Sequence, residues 1–166
     1  MEEKPDAQIS GERIIIESLD REFALLHARS CRIDEQTSDE TIYLNPVNSQ
    51  ISVGENILRS AAEIEQTFGG ITANLWDDPF EWTLPEHLST TAKIIEHLNE
   101  VETLRQRAFA SFTDDSCLSK QVATPSDTRP LIDLLLSTLL RATEHQARAL
   151  VALKSLSRID APGFII

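Results

Sequence analysis

The sequence predicts an all-α fold, a four-helix bundle with a long crossover connection between helices two and three. Four segments carry apolar residues at three- and four-residue spacing, as one buried face of a helix requires. Five glycines and seven prolines are about 7% of the 166 residues, against an average of about 12%. Aromatic residues are only 5% of the chain, which disfavours a β-sandwich or barrel. We expect one domain over residues 10–166, after a flexible N-terminus at residues 1–9.

The first two helices are predicted over residues 11–34 and 53–68. Ser10 is the expected cap of the first, and its apolar face consists of Ile15, Leu19, Phe23 and Leu26. The second opens with Ser52 and Glu55, which match the S-x-x-E capping box. Its apolar face consists of Ile57, Ala61, Ile64 and Phe68, and Gly69-Gly70 is expected to interrupt it.

The third and fourth helices are predicted over residues 90–112 and 130–156, the latter with Pro130 in its first turn. Their apolar faces consist of Ile94, Leu98, Val101, Ala108 and Phe112, and of Leu131, Leu135, Leu139, Ala142, Ala149 and Leu153. The connection over residues 71–88 can run the length of a bundle, since extended chain covers about 3.3 Å per residue and a helix of about 20 residues is about 30 Å long. Helices two and three are therefore expected to be parallel, and no strand is predicted.

Charge and hydropathy exclude several classes of function. Lys and Arg total 15 and Asp and Glu total 27, so the net charge is −12. Phosphate contacts need a basic face, so we expect no nucleic-acid partner. No segment approaches the roughly 18 apolar residues of a membrane span, and residues 1–8 lack the apolar core of a signal peptide. We therefore expect a cytoplasmic protein without a membrane partner.

The two cysteines, Cys31 and Cys117, form neither a C-x-x-C pair nor a metal-ligand spacing. We expect both to be reduced thiols. A nucleophilic role for Cys31 is the alternative, but no neighbouring residue in the sequence indicates a lowered pKa.

Three motifs in order resemble those of the DinB/YfiT-like family. Ser52-Val53-Gly54-Glu55 opens helix two, Trp82-Thr83-Leu84-Pro85 precedes a helix carrying the run 96–102 (EHLNEVE), and helix four carries the run 144–149 (EHQARA). The resemblance spans residues 10–156. It implies a four-helix bundle with a crossover between helices two and three, often assembled as a homodimer. Many members bind zinc or nickel through one histidine on helix two and an H-x-x-x-H pair on helix four, and some transfer low-molecular-weight thiols.

Carried over by position, this ligand set is incomplete. The helix-two ligand falls on Arg59, or on Ser60 if the apolar face sets the register. On helix four, His145 matches the second histidine, but Arg141 stands where the first would be. Arginine stays protonated and offers no lone pair, and one imidazole does not make a zinc site. The resemblance therefore implies a decayed metal site, and we expect no cofactor.

A rearranged site is the alternative. If helices two and three are parallel and neighbouring helices pair end to end, His27, His97 and His145 lie at one height, each at the edge of its apolar face. These three could hold a divalent zinc or nickel ion for a thiol transferase or hydrolase. The fourth histidine, His87, lies in the connecting loop and is excluded.

The environment of His145 favours an anion over a metal. We expect His145 to line a cavity between helices, with Arg59, Arg141 and Thr138 as further pocket residues. A fixed positive charge about 6 Å from a doubly charged ion repels it by roughly 5 kcal/mol at an effective dielectric of about 20. The same charge attracts a carboxylate, so a small anionic ligand is expected.

The sequence thus predicts a DinB-like protein with a residual small-ligand or interaction role. The metal-dependent enzyme is the alternative, a purely structural dimer is a third, and whether the chain is an enzyme stays open. The apolar run Gly163-Phe164-Ile165-Ile166 favours a homodimer that covers it or a helix-pair face.

Overall fold

The computed structural model describes residues 12–46, 51–81 and 86–159. These residues form four α-helices, and 71% of them are helical, which confirms the all-α class. The helices are α1 (Ile14–Asp34), α2 (Val53–Ala73), α3 (Thr91–Ser111) and α4 (Leu131–Ile159). Two short 3₁₀ helices, Pro79–Glu81 and Asp115–Ser119, and two short strands, β1 (Gln121–Ala123) and β2 (Thr128–Pro130), lie between them. None of the helices in this part of the chain is long and apolar enough to cross a membrane.

Each helix packs mainly against two others. α2 packs on α3 and α4, and so does α1, whereas α1 and α2 meet at few positions and therefore lie on one diagonal of the arrangement. The apolar faces predicted for the second and third helices are buried, as expected. On α1 the prediction is wrong at one position, because Ile16 is buried and Ile15 is 49% exposed. On α4, Leu139 is only half-buried, at the edge of the core.

Buried polar groups join the helices at several points. Arg105 of α3 is 3% exposed and donates to Asp20 of α1 and to Glu102 one turn before it. Gln146 of α4 donates through Nε2 to the Leu26 carbonyl at 2.5 Å, which ties α4 to α1. A buried polar group without a partner is costly, so these bonds restrict how the helices can slide past one another.

The N-terminus of α1 is capped by a residue distant in sequence. The backbone N–H groups of Ile15 and Ile16 donate to the two carboxylate oxygens of Asp115, each at 3.0 Å. Asp115 N in turn donates to the Glu12 carbonyl at 2.9 Å. A carboxylate satisfies free N–H groups and interacts favourably with the helix dipole. The expected cap, Ser10, lies outside the described residues, and α1 begins at Ile14 rather than at residue 11.

The glycine pair in α2 does not end the helix, contrary to the prediction. α2 continues to Ala73 and ends at Asn74, which adopts the left-handed conformation at φ 56°. Gly70 is needed for a close approach, because a Cβ there would overlap the ring of Trp76. At the other end, the predicted capping box is present, with Glu55 N donating to Ser52 Oγ at 3.2 Å and Ser52 N donating to Glu55 Oε2 at 2.8 Å.

The two-stranded sheet was not predicted. Strands β1 and β2 are antiparallel and three residues each, too short for an alternating pattern to be recognised. A turn joins them in which Thr124 N donates to the Asp127 carbonyl at 2.8 Å and Thr124 Oγ1 donates to Asp127 Oδ1 at 2.7 Å. Pro130 ends β2, so α4 begins one residue later than predicted.

Asp34, the last residue of α1, is a buried carboxyl group. It is 1% exposed, and within the described part of the chain its Oδ1 has no hydrogen-bond partner. Burial raises its pKa from 3.8 to about 7, and the charges of Asp39 and Glu35 act in the same direction. The folded protein therefore retains this proton across a pH range in which the unfolded chain releases it.

We predict that Asp34 makes the protein less stable as pH rises from about 4 to about 7. The pKa of Asp34 is higher in the folded than in the unfolded protein. Its destabilising effect on the folded state is therefore complete above about pH 7 and absent below about pH 4. Each pKa unit is about 1.4 kcal/mol, so Asp34→Asn should gain up to about 4 kcal/mol relative to the wild type at pH 8. Urea unfolding at pH 4, 6 and 8 measures this, with Glu22→Gln, at an exposed position of the same helix, as the control expected to leave the pH profile unchanged. Parallel pH profiles for Asp34→Asn and the wild type would contradict the prediction.

Candidate functional site

The segment of residues 74–80, here called the strap, follows α2 and divides the surface beside it. Gln66 Nε2 donates to the Trp76 carbonyl at 2.7 Å and so fixes the strap to α2. Side chains of the strap alternate between two sides. Trp76, Asp78 and Phe80 line clefts between α2 and α4, whereas Leu75, Asp77 and Pro79 line a cavity that also includes Leu104 of α3.

The inner cleft, of about 50 Å³, contains the histidine that matches the family motif. It is lined by Arg59, Ala62, Glu63, Gln66, Asp78, Phe80 and His145. The Arg59 guanidinium lies over the Phe80 ring at 4.0 Å from its centroid, a cation–π geometry. Arg59 Nε and His145 Nδ1 are both buried, and neither has a hydrogen-bond partner in the described structure.

His145 favours its neutral form. Burial lowers its pKa, the positive charges of Arg148 and Arg59 lower it further, and the carboxylates of Glu63 and Glu144 oppose them. A neutral imidazole has one nitrogen that donates and one that accepts. His145 can therefore offer a hydrogen bond to a small polar group in the inner cleft without adding a charge.

Arg141, one turn before His145, has a protein carboxylate as its partner. Its Nε donates to Glu63 Oε2 at 2.6 Å. Glu63 therefore neutralises part of the positive charge with which Arg141 was expected to attract an anion. The Arg141 side chain remains 46% exposed and lines a second cleft, so its terminal nitrogens are accessible from there.

This second cleft, the outer cleft, has a volume of about 370 Å³. It is lined by Gln66, Thr67, Trp76, Thr124, Pro125, Ser126, Arg129, Leu134 and Arg141. Arg129 is held by Asp127, to which its Nε donates at 3.1 Å. Gln66 borders both clefts and also the cavity on the other side of the strap. The two clefts, which lie on the side of α2 that faces α4, are together called the groove. The groove combines arginine side chains, hydroxyl groups, an indole and, in the inner cleft, the carboxylates of Glu63 and Asp78.

Thr138, the remaining predicted pocket residue, lies beneath the groove. It is 0% exposed, and its hydroxyl donates to the Leu134 carbonyl at 2.9 Å and lies 2.7 Å from the Thr67 hydroxyl. Thr67 in turn lines the outer cleft. Thr138 therefore positions a residue of the groove without facing the groove itself.

His97 and His27 lie in other environments. His97 Nε2 is 3.6 Å from Glu65 Oε2, and burial lowers the His97 pKa although the charge of Glu100 opposes it. His27 Nε2 donates to Asn99 Oδ1 at 3.1 Å and lies 3.5 Å from Cys31 Sγ. Both contacts of His27 use the same nitrogen, which differs from a nucleophile–base–orienter triad, where the two ring nitrogens have separate partners.

Cys31 does not have the environment of an activated thiol. Burial raises its pKa, and the carboxylates of Glu35 and Asp34 raise it further. Cys31 and Cys117 are both free cysteines. A thiolate at Cys31 is therefore disfavoured at neutral pH, since burial and the acidic groups of Glu35, Asp34 and Glu102 oppose it.

The three histidines border the same stretch of α2 but on different sides of it. His145 shares a cleft with Arg59 and Gln66, whereas His97 faces Glu65. His27 shares a small space with Ala61 on the α1–α3 side. Within residues 12–46, 51–81 and 86–159, no group of three or more His, Cys, Asp or Glu side chains is arranged to hold a metal ion.

Sequence reasoning missed several residues of the groove. Glu63 and Gln66 lie four and seven residues after Arg59, on the same side of α2, so this spacing could have identified them. Phe80 and Trp76 lie in the connecting segment, where no periodicity places a side chain. Arg129 reaches the groove only because the short β1–β2 hairpin folds beside α4. The other indole of the connection, Trp82, lies outside the described residues.

Comparison of the chain with protein-family models, with curated proteins and with solved structures finds no match.

Proposed function

We propose that this chain is a cytoplasmic DinB-like protein with a decayed metal site, and that it binds a small anionic ligand in the groove between α2 and α4. The observation that carries the proposal is the pair of buried nitrogens, Arg59 Nε and His145 Nδ1, that lack partners in the described structure and flank the inner cleft. Buried polar atoms are rarely left unsatisfied, so a ligand with acceptor atoms fits this position.

Contacts at both ends of α2 support the crossover arrangement. Phe68 and Phe109, near the carboxyl ends of α2 and α3, have ring centroids 5.5 Å apart. Near the amino ends, a Cβ at Gly54 of α2 would lie 2.7 Å from the Tyr43 ring, and the Tyr43 hydroxyl donates to the Leu88 carbonyl at 2.5 Å, just before α3. These contacts favour parallel α2 and α3, which a connection returning along the bundle allows.

The partners of the two arginines support the decay of the metal site. Arg59 stands at the helix-two ligand position and is stacked on Phe80. Arg141 stands at the first helix-four position and is paired with Glu63. Two cations beside His145 oppose a divalent ion, and neither guanidinium can act as a ligand.

The outer cleft supports a ligand with a flat apolar body and a carboxylate. Arg129 and Arg141 can donate charge-assisted hydrogen bonds to a carboxylate, and the Trp76 indole offers an apolar surface. A volume of about 370 Å³ is in the range of small-molecule sites. Three arginines border the groove, and the donors that an anion can use are those left free by Glu63 and Asp127, together with Arg59 Nε.

We predict that the protein binds 3-phenylpropionate more tightly than the neutral 3-phenylpropan-1-ol. Arg129→Gln and Arg141→Gln should each weaken binding of the anion by about tenfold, since hydrogen bonds to charged groups contribute about 1.5–3 kcal/mol. Titration calorimetry measures both. Arg107→Gln is the matched control, because Arg107 is an exposed arginine of α3 that lines neither cleft. Equal binding of the alcohol, or unchanged binding in both groove variants, would contradict the proposal.

Metal content distinguishes the proposal from the alternative of a metal-dependent thiol transferase or hydrolase. We predict that protein purified without a tag or chelator holds zinc and nickel at well below one equivalent, because Arg59 and Arg141 repel the ion. Elemental analysis measures this. Near-stoichiometric metal that is lost in both His145→Ala and His97→Ala would replace the proposal with a rearranged three-histidine site.

An exposed apolar row on α4 supports the homodimer that the resemblance implies. Leu140 and Val151 are 71% and 66% exposed, and Leu136 and Leu150 are 43% and 42% exposed. These residues recur on one side of α4 at helical spacing, with Thr143 and the small Ala147 between the two halves of the row. Ile15 and Leu25 are exposed on α1, which packs beside α4. The apolar run at residues 163–166 lies outside the described residues.

We predict that light scattering at micromolar concentration gives twice the chain mass of 18.6 kDa. The double variant Leu140→Glu, Val151→Glu should give the monomer mass with an unchanged helical circular-dichroism spectrum, because charges in an apolar interface are costly to bury. Leu44→Glu, at an exposed position outside this row, is the control that should stay dimeric. A monomeric wild type would remove the dimer from the proposal.

A further inference from the structure

The cavity on the other side of the strap has the opposite chemistry to the groove. We propose that it binds an organic cation, a primary amine carried on an apolar body. This is a second site, and it does not depend on the function proposed for the groove between α2 and α4. Its volume is about 330 Å³, enough for a ligand of about ten non-hydrogen atoms.

The walls of this cavity combine two carboxylates with apolar surface. Glu65 of α2 and Asp77 of the strap supply the acidic groups, and Leu75, Pro79 and Leu104 supply apolar contacts. Among the described residues, no basic side chain lines it. An ammonium group donates up to three hydrogen bonds and carries the complementary charge, so an amine satisfies both kinds of wall.

Glu65 lacks a positive partner in the described structure. Its side chain is 34% exposed, yet its Oε2 is buried and accepts no hydrogen bond there. The nearest candidate, His97 Nε2, is 3.6 Å away, beyond hydrogen-bond distance. Burial lowers the pKa of His97, so at neutral pH the imidazole supplies little positive charge. Burial also raises the pKa of Glu65, with the charge of Glu100 acting in the same direction. Glu65 thus presents at the cavity wall a carboxylate whose charge no described basic side chain neutralises, and a cation in the cavity would complement it.

The backbone of α2 helps to form the floor of the cavity. Gly69 lines it, and a Cβ at that position would lie 3.3 Å from the Leu75 carbonyl oxygen. The glycine thus allows the strap to pass close to α2 while the space toward α3 stays open. The same strap turns Trp76, Asp78 and Phe80 toward the arginine-bordered groove. Two neighbouring sites of opposite charge preference therefore share one wall.

The experiment compares three probes with the same apolar body. Titration calorimetry of the full chain with 3-phenylpropan-1-amine should give saturable binding, about tenfold tighter than with 3-phenylpropan-1-ol, since a charge-assisted hydrogen bond is lost in the alcohol. An excess of 3-phenylpropionate should leave the number of amine sites unchanged, because the two carboxylates of the cavity repel an anion. Equal affinity for the amine and the alcohol, or no saturable amine binding at millimolar concentration, would overturn the proposal.

Variants locate the site. Glu65→Gln should weaken amine binding by about tenfold and Asp77→Asn by a smaller factor, since the strap carboxylate is the more exposed. Glu96→Gln is the matched control, because Glu96 is exposed on α3 and does not line the cavity, and Arg129→Gln is the control for the groove. Unchanged affinity in Glu65→Gln with a native circular-dichroism spectrum would overturn the assignment. If Glu65→Gln does not fold, the amine affinity of Asp77→Asn is the test. An amine affinity of Asp77→Asn equal to that of the wild type would also overturn the proposal.

Discussion

The arrangement of the helices depends on a cluster of three buried phenylalanines. Phe23, Phe68 and Phe109 come from α1, α2 and α3, and their ring centroids lie 5.3, 5.5 and 5.8 Å apart. Each ring is at most 3% exposed. Aromatic rings bury more apolar surface than other core residues and prefer tilted or edge contacts. This cluster therefore determines how the three helices are positioned relative to one another along their axes. The strap, the clefts and the ion pairs all lie on the frame that it sets.

The strap follows from that frame. Phe68, which anchors α2 in this cluster, immediately precedes Gly69 and Gly70, where the strap passes close to the helix. Gly70 lets Trp76 pack directly on α2, and Gln66 holds the Trp76 carbonyl. The strap thus divides the surface of α2 into two sides. The side toward α4 carries arginines together with Glu63 and Asp78, whereas the described lining of the other side has carboxylates and no basic side chain. The charge preferences proposed for the two sites derive from this division.

Much of the fold was predictable because it depends on local periodicity. The faces of α2 and α3 and the Ser52–Glu55 capping box depend on residues within one or two turns of each other. The cap of α1 was not predictable, because Asp115 is about 100 residues away and only tertiary packing brings it to Ile15 and Ile16. The glycine pair misled prediction for the same reason. Propensity favours a break at Gly69-Gly70, but the approach of Trp76 determines the need for a small residue there.

The candidate site was predictable only in its residue types. Helical spacing places Arg141 one turn from His145, but the sequence does not reveal that Glu63 accepts a hydrogen bond from Arg141 or that Phe80 lies under Arg59. These partners matter because each guanidinium already contacts a side chain of the protein: Arg141 is bonded to Glu63, and Arg59 lies over the Phe80 ring. A histidine at position 141 would leave Glu63 without its ion-pair partner, and a histidine at position 59 would lose the cation on the Phe80 ring. The surroundings of His145 therefore hold the protein's own cations, and the anion site proposed for this groove depends on the donors that these partners leave free, Arg59 Nε and the terminal nitrogens of Arg141.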